Sequence, residues 1–339
     1  MVIRYPAPLR PGDTVGVTAP SSGVSDALRP RLDHNVTWLR ERGFEVWVGE
    51  CLGDDRVVSA PKEKRAAELM AMLRDPSVRA VVPPWGGELA IDLLDQLDFD
   101  ELATLEPTWL VGYSDLCSVM LPFTTLLGWA TVHGTNLMDT AYRQPGGLLH
   151  WTEVVTGPGP FHQVSPGRHR VGTWDDYRAD PGVEELTLDG TGDWEVVGGG
   201  GLDVTGRLVG GCVEIVSMLA PTPYGDVPGF GRAHADEGLV VFLEVAECDP
   251  FTVARSLHSL RLAGWFDEAT AVLVGRTPAP DADQMSQREA VLDALGGLDV
   301  PLVLGADIGH TQPWMPLVTG ALARVVAGNG HGEITQELT

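Results

Sequence analysis

Positive charge, cysteine and long apolar runs are all scarce in this 339-residue sequence. Lys and Arg number 23 against 47 Asp and Glu, for a formal net charge of −24. Nucleic-acid backbones and anionic membrane surfaces both favour basic patches, so neither is expected as a partner. The four cysteines, Cys51, Cys117, Cys212 and Cys248, show no CxxC spacing, which removes the usual zinc pattern and argues against a disulfide framework in so large a chain. The nine histidines include no HExxH pair, so no metal and no other cofactor is expected. No stretch approaches the roughly 18–20 apolar residues of a membrane span. The opening MVIRYPAPLRPGD lacks the basic-then-apolar layout of a secretory leader. A soluble, cytoplasmic protein is expected.

What is present is an alternation. In the first half, short β-rich runs (TVGVTAP, FEVWVGE, VRAVVPPW, PTWLVGY, WATVHG) are separated by helix-forming segments. One begins after Ser21–Ser22 and closes at Gly43, another follows Pro61, a third is expected straight after Gly86–Gly87, and a fourth begins near Ser114. Near-continuous apolar strands between helices predict a parallel sheet covered on both faces, with ligands beyond the carboxyl ends of its strands. Trp85–Gly86–Gly87, Gly112–Ser114 and His133 fall at those ends. From about Gly157 to Gly211 the composition turns to Gly, Pro, Asp and Trp, which reads as a linker with an extended loop excursion. Strand and helix signals then resume, with LVVFLEVAE, a helix capped by Asp249, ATAVLVG, QREAVLDALGG and VPLVLGADIGH. The predicted organisation is an N-terminal α/β domain over 1–156, a linker and Trp-containing loop over 157–205, and a second domain over 206–339.

Ser114, in TWLVGYSDLCSVML, stands where an apolar run gives way to a helix. A serine on such a turn projects its hydroxyl from the sheet end, with neighbouring N–H groups facing outward. The elbow pattern GxSxG is incomplete, because Leu116 replaces the second glycine, and a helix-capping serine fits the local pattern too. Gly86 and Gly87 suit either a tight turn or an oxyanion-binding backbone. Glu244 ends the apolar run VVFLE, where a carboxylate is costly unless paired or functional. His310 lies in the loop ADIGHTQPWMP, where it is either incidental or a base.

Taken together, LRPGDTVGVTAPSSG, WGGELAIDLLDQLDFD, LVGYSDLCSVM, TVHGTNLM, GRLVGGCVEIVSMLAPTPYG, VFLEVAECDPFTVARSLHSL and IGHTQPWMPLVTGALARV resemble the successive motifs of the LD-carboxypeptidase family. That family includes the murein tetrapeptide carboxypeptidases and the microcin C self-immunity proteins. The resemblance implies an N-terminal flavodoxin-like parallel-sheet domain joined to a smaller C-terminal β-rich α/β domain, commonly as a homodimer. It also implies a serine peptidase with Ser114 as nucleophile, His310 as base, Glu244 as its orienting carboxylate, and an oxyanion hole from the backbone N–H groups of Gly87 and Asp115.

The 170–200 stretch is similar to the microcin-immunity branch, whose Trp-bearing loop stacks on a nucleobase; Trp174, and after it Trp194, are the residues to which the resemblance gives that role. Packing of the loop onto the domain is the alternative for either. Gly86 and Cys212 complete the expected substrate-binding set. Two departures stand out: Cys212 where the family has a substrate-facing Asn, and Val245 where it has Asp after the glutamate. The expected partner is a small molecule. The readings are hydrolysis of a peptidyl or aminoacyl nucleotide, release of terminal D-alanine from a muropeptide, or a catalytically silent binding protein.

Overall fold

The structure, a computed structural model, describes residues 1–53 and 57–339. Strands, in chain order, are β1 (Thr14–Val17), β2 (Glu45–Val48), β3 (Val78–Val81), β4 (Trp109–Gly112), β5 (Val132–His133), β6 (Phe161–Val164), β7 (Arg168–His169), β8 (Gly190–Thr191), β9 (Glu195–Val196), β10 (Leu202–Cys212), β11 (Leu239–Glu244), β12 (Ala269–Gly275), β13 (Leu302–Ala306), β14 (Leu317–Val318), β15 (Leu322–Gly328) and β16 (His331–Glu337).

The first sheet runs β14-β5-β4-β3-β1-β2, with β1 to β5 parallel and β14 antiparallel on β5. Its parallel strands are apolar because helices cover both faces. Leu32, Val36 and Leu39 of helix Arg29–Glu41 pack on Val15, Val17 and Val111. On the other face, helices Lys62–Arg74 and Cys117–Leu127 bring Leu69, Leu73, Met120 and Phe123 against Val78, Val81 and Leu110. The strand β2 is more exposed, as an edge position allows.

The second sheet has eight strands in the order β6-β16-β15-β10-β11-β12-β13-β9, parallel through β10 to β13 and antiparallel outside. Helix Pro250–Leu262 starts as expected, with Asp249 accepting from the Phe251 and Thr252 N–H groups at 3.0 and 3.2 Å. Among the described residues, no helix is long and apolar enough to cross a membrane.

Two expectations change. The Gly157–Gly211 excursion is not free of regular structure: β6 and β9 form both edges of the second sheet, and β7 pairs with β8. These pieces are two to four residues long and pair with partners far along the chain, so no local periodicity marks them. Finally, the helix expected after Gly86–Gly87 is a single 3-10 turn, Ala90–Leu93. Leu89 takes a left-handed φ of 69°, and the Ala90 N–H is donated to the Asp115 carboxylate at 2.7 Å.

The two sheets meet at the carboxyl ends of β4, β5 and β11. β14 crosses from the second half of the chain to complete the first sheet beside β5, and Cys117 and Leu121 of helix Cys117–Leu127 join the apolar core of the second domain.

Candidate active site

After Gly112 the chain extends through Tyr113 and turns abruptly at Ser114, whose φ is 67°. A left-handed conformation at a non-glycine residue costs about 1–2 kcal/mol and persists where surrounding structure demands it. Here the demand is visible in two glycines. A Cβ on Gly112 would lie 2.4 Å from Leu116, and one on Gly86 would lie 2.8 Å from the Ser114 Cβ and 2.9 Å from the Asp115 nitrogen. Ser114 is not a cap: its hydroxyl lies 3.1 Å from His310 Nε2.

His310 reaches that position from the loop after β13, where Gly309 (φ 91°) packs directly on the Glu244 carboxylate. His310 Nδ1 is 2.7 Å from Glu244 Oε2. A carboxylate only accepts, so Nδ1 carries the proton and Nε2 accepts from the Ser114 hydroxyl. Glu244 is fully buried. Burial opposes its ionisation, but the charge and hydrogen bond of His310 outweigh it, with the nearby His133 imidazole adding to them, and hold the carboxyl well below the usual range. Burial likewise opposes a proton on His310, and the Glu244 charge and hydrogen bond reverse that, raising its proton affinity above that of an ordinary histidine.

Across from the hydroxyl, Gly87 has φ 106°, and the Gly86 carbonyl accepts from the Ser22 N–H at 3.2 Å. Among the described residues, neither the Gly87 nor the Asp115 N–H has a protein acceptor. The buried Asp115 carboxylate accepts from Ser21 Oγ at 2.5 Å and from Ala90 N, tying the serine turn to the glycine loop. Burial pushes this carboxyl up, partly offset by those bonds. Backbone N–H groups left without an acceptor beside a serine hydroxyl are able to receive an oxyanion, and a serine–imidazole–carboxylate chain can deliver that serine as a nucleophile.

The Ser114 hydroxyl opens on a cavity of about 380 Å³ bordered by Trp85, Tyr113, Asp139, Trp174 and Tyr177. Adjoining clefts of about 670 and 490 Å³ also touch His310 and Trp174. Trp174 is 39% exposed and rests one side on Trp314, with ring centroids 5.8 Å apart. Its turn is held by Arg170, which donates to the Thr173 carbonyl at 2.7 Å and forks onto Asp175, while the Arg170 N–H donates to Gln312 in the His310 loop.

Trp194, the second aromatic expected near substrate, lies elsewhere. It is buried in the second sheet's core, and its Nε1–H donates to Asp307 Oδ2 at 3.0 Å. Its position next to β9 decides this, since β9 pairs with β13 and turns the indole inward. Cys212 is also buried and does not border the cavity: its thiol donates to Glu214 Oε2 at 3.2 Å, and its N–H faces the Cys117 sulfur at 3.4 Å. Glu214 links Cys212 to Cys248, since it also accepts from the Cys248 N–H. One donor atom each from Cys212, Glu244 and His310 lies within 4.8 Å of the others. Tetrahedral zinc needs ligand atoms about 3.3–3.8 Å apart, and the His310–Glu244 bond already commits two of the three.

Trp85 falls among the strand ends where the sequence already places a ligand, whereas Asp139 and Tyr177 are not among the expected binding residues. Asp139 follows the end of β5, which is the signal that marks it. Tyr177, 38 positions from the Asp139 carboxylate to which it donates at 2.6 Å, carried no such signal. Burial pushes the Asp139 carboxyl up to about 6, against that hydrogen bond and the charges of Arg31 and His310.

An α/β scaffold with a serine on a strained strand-to-helix turn, facing a histidine from a second sheet, is the construction of a serine peptidase. The LD-carboxypeptidase N-terminal domain matches residues 15–134 and the LD-carboxypeptidase C-terminal domain residues 205–325. The chain belongs to the LD-carboxypeptidase family. It is 28% identical to a putative carboxypeptidase of Streptomyces coelicolor, over 96% of this chain and 94% of that protein. The microcin C7 self-immunity protein MccF in complex with aspartyl sulfamoyl adenosine superposes with a TM-score of 0.81 at 21% identity, covering 99% of both chains. A muramoyltetrapeptide carboxypeptidase from Oxalobacter formigenes superposes with a TM-score of 0.70 at 22% identity, covering 96% of this chain and 98% of the other.

Proposed function

We propose that this serine peptidase cleaves an amide bond in a peptidyl or aminoacyl nucleotide, with Ser114, His310 and Glu244 as its triad. The observation that carries the reading is the hydrogen-bonded series from Ser114 Oγ through His310 to Glu244 at the mouth of a cavity bordered by Trp174. His310 Nε2 takes the hydroxyl proton as Ser114 Oγ attacks the carbonyl carbon. Glu244 holds the ring's orientation and stabilises the imidazolium, while the Gly87 and Asp115 N–H groups receive the oxyanion. His310 then returns the proton to the leaving nitrogen, and the C–N bond breaks to give an acyl-serine. Water attacks the ester with His310 again as base, releasing the carboxylic acid and restoring the serine.

The nucleotide is favoured by Trp174. Its anchored turn keeps one ring side on Trp314 and leaves the indole open to the cavity, and an aromatic face contributes about 1–3 kcal/mol to holding a base. The test incubates the protein and Ser114→Ala with aspartyl sulfamoyl adenosine and, separately, with a murein tetrapeptide. Release of aspartate by the native protein alone supports the reading. Release of D-alanine alone replaces it with muropeptide hydrolysis. No turnover of either, with measurable binding, leaves a binding protein.

A further inference from the structure

Glu244 has two carboxylate oxygens, and His310 uses one. The other, Oε1, is buried in a fully enclosed side chain and has no hydrogen-bond partner among the described residues. The polar atom facing it is His133 Nε2, 3.9 Å away, which is also buried and without a partner. An orphaned oxygen on an enclosed carboxylate is costly. Here two orphans face each other across a gap that a movement of about 0.8 Å closes to hydrogen-bond length.

The placement of His133 is imposed from three sides. It ends β5, paired with Gly112 of β4 on one side and with Leu317 of β14 on the other. Its ring packs edge-on against Phe242, with centroids 5.0 Å apart. Phe242 and Glu244 are two apart on β11 and so project to the same face, which carries the His133 ring from one towards the other. The Tyr113 ring lies within 6.2 Å of His133 and 4.8 Å of His310.

We propose that His133 is a positioning residue, whose Nε2–H supports Glu244 Oε1 and so keeps Oε2 aimed at His310 Nδ1. The inference deepens the triad reading above and rests on it for its effect on turnover. The remaining polar groups around the pair cannot substitute. Cys212 donates to Glu214, Cys117 takes the Cys212 N–H, and Tyr113 approaches by its ring. Glu214, Glu247 and Asp139 bring negative charge towards His310, and none offers Glu244 a donor.

The sign of the effect follows. A donor on Oε1 withdraws electron density from the carboxylate, so removing it makes Glu244 a stronger acceptor and raises the proton affinity of His310. The experiment compares His133→Leu, which deletes the donor, with His133→Gln, whose amide N–H keeps one. Two readouts are taken on the full chain: the His310 imidazole titration by NMR after ¹⁵N-histidine labelling, and the pH dependence of kcat and KM on aspartyl sulfamoyl adenosine.

In His133→Leu the His310 midpoint and the acid limb of kcat move up by about half to one pH unit, and kcat falls about 10–100-fold with little change in KM. His133→Gln recovers most of both. An unmoved His310 midpoint in a folded His133→Leu protein overturns the inference, as does an equal loss in both variants with no shift of the limb, which is the behaviour of a packing residue. If His133→Leu does not fold, a native midpoint and kcat in His133→Gln support the inference and a Leu-like collapse in Gln overturns it. Should Ser114→Ala retain hydrolysis while the His310 midpoint moves as stated, the triad reading fails and the His133–Glu244 link stands.

Discussion

Substituting Gly86 by alanine adds one methyl group at the point where the glycine loop touches the serine turn. The new Cβ would sit 2.8 Å from the Ser114 Cβ, 2.9 Å from the Asp115 nitrogen and 3.0 Å from the Ser114 hydroxyl. Comfortable carbon contacts begin near 3.5 Å, so the two segments must part by about 0.7 Å. Nothing nearby yields easily, since all three atoms belong to a turn anchored by β4 and by the buried Asp115 carboxylate. The loop carrying Gly87 therefore withdraws from the Asp115 N–H, and the proposed oxyanion hole loses one of its two donors. Loss of one such donor costs about 2.7–4 kcal/mol in the transition state, or about 10²–10³ in kcat. Steady-state kinetics on the substrate identified by the hydrolysis test should show that fall in kcat, with KM within a few-fold of native and the thermal transition retained. A Gly86→Ala protein with kcat within threefold of native would refute the oxyanion assignment, because the clash is fixed by the backbone.

Trp174→Ala should raise KM for an aminoacyl nucleotide about 10-fold or more, the loss expected for a stacked base, with kcat little changed; unaltered kinetics would remove the stacking role. Ser114→Gly and Ser114→Ala should both abolish hydrolysis, but the glycine variant should be the more stable by about 0.5–1 kcal/mol in calorimetry, since only it relieves the left-handed φ. Equal stabilities, or a more stable alanine, would show that the turn stores no strain. The acid limb of kcat/KM should lie above the ordinary histidine range. The Glu244 charge holds a proton on His310 more tightly, burial opposing, and the base works only when neutral, so activity is lost as pH falls through that raised value. A limb below pH 6 would contradict the pairing.

Several site residues were legible in the chain because they stand where a regular pattern breaks. Ser114, Glu244, Gly86 and Gly87 end apolar runs, and His310 follows one, which marks them as candidates, and the resemblance to the LD-carboxypeptidase motifs is what joins them into one site. The local pattern around Ser114 nevertheless fits a cap as well as a nucleophile. The φ of 67° and the 3.1 Å approach of His310, 196 positions away, distinguish the two. Trp174 and Trp194 look alike in sequence, each in a Gly- and Asp-rich stretch. One borders the cavity because Arg170 fastens its turn to the His310 loop, and the other is core because β9 pairs with β13.

The sequence alone determined the class of scaffold, the alternation of strand and helix in its first half, and the residue types that can perform acyl transfer, because these depend on periodicity and side-chain chemistry. The tertiary structure decided what depends on long-range pairing. It drew β6 and β9 out of an apparent linker, turned Cys212 away from the cavity towards Glu214, and set His133 against the free oxygen of Glu244. Each of those outcomes joins residues far apart in the chain, and no local pattern records which of them will be neighbours once the two sheets close over Ser114.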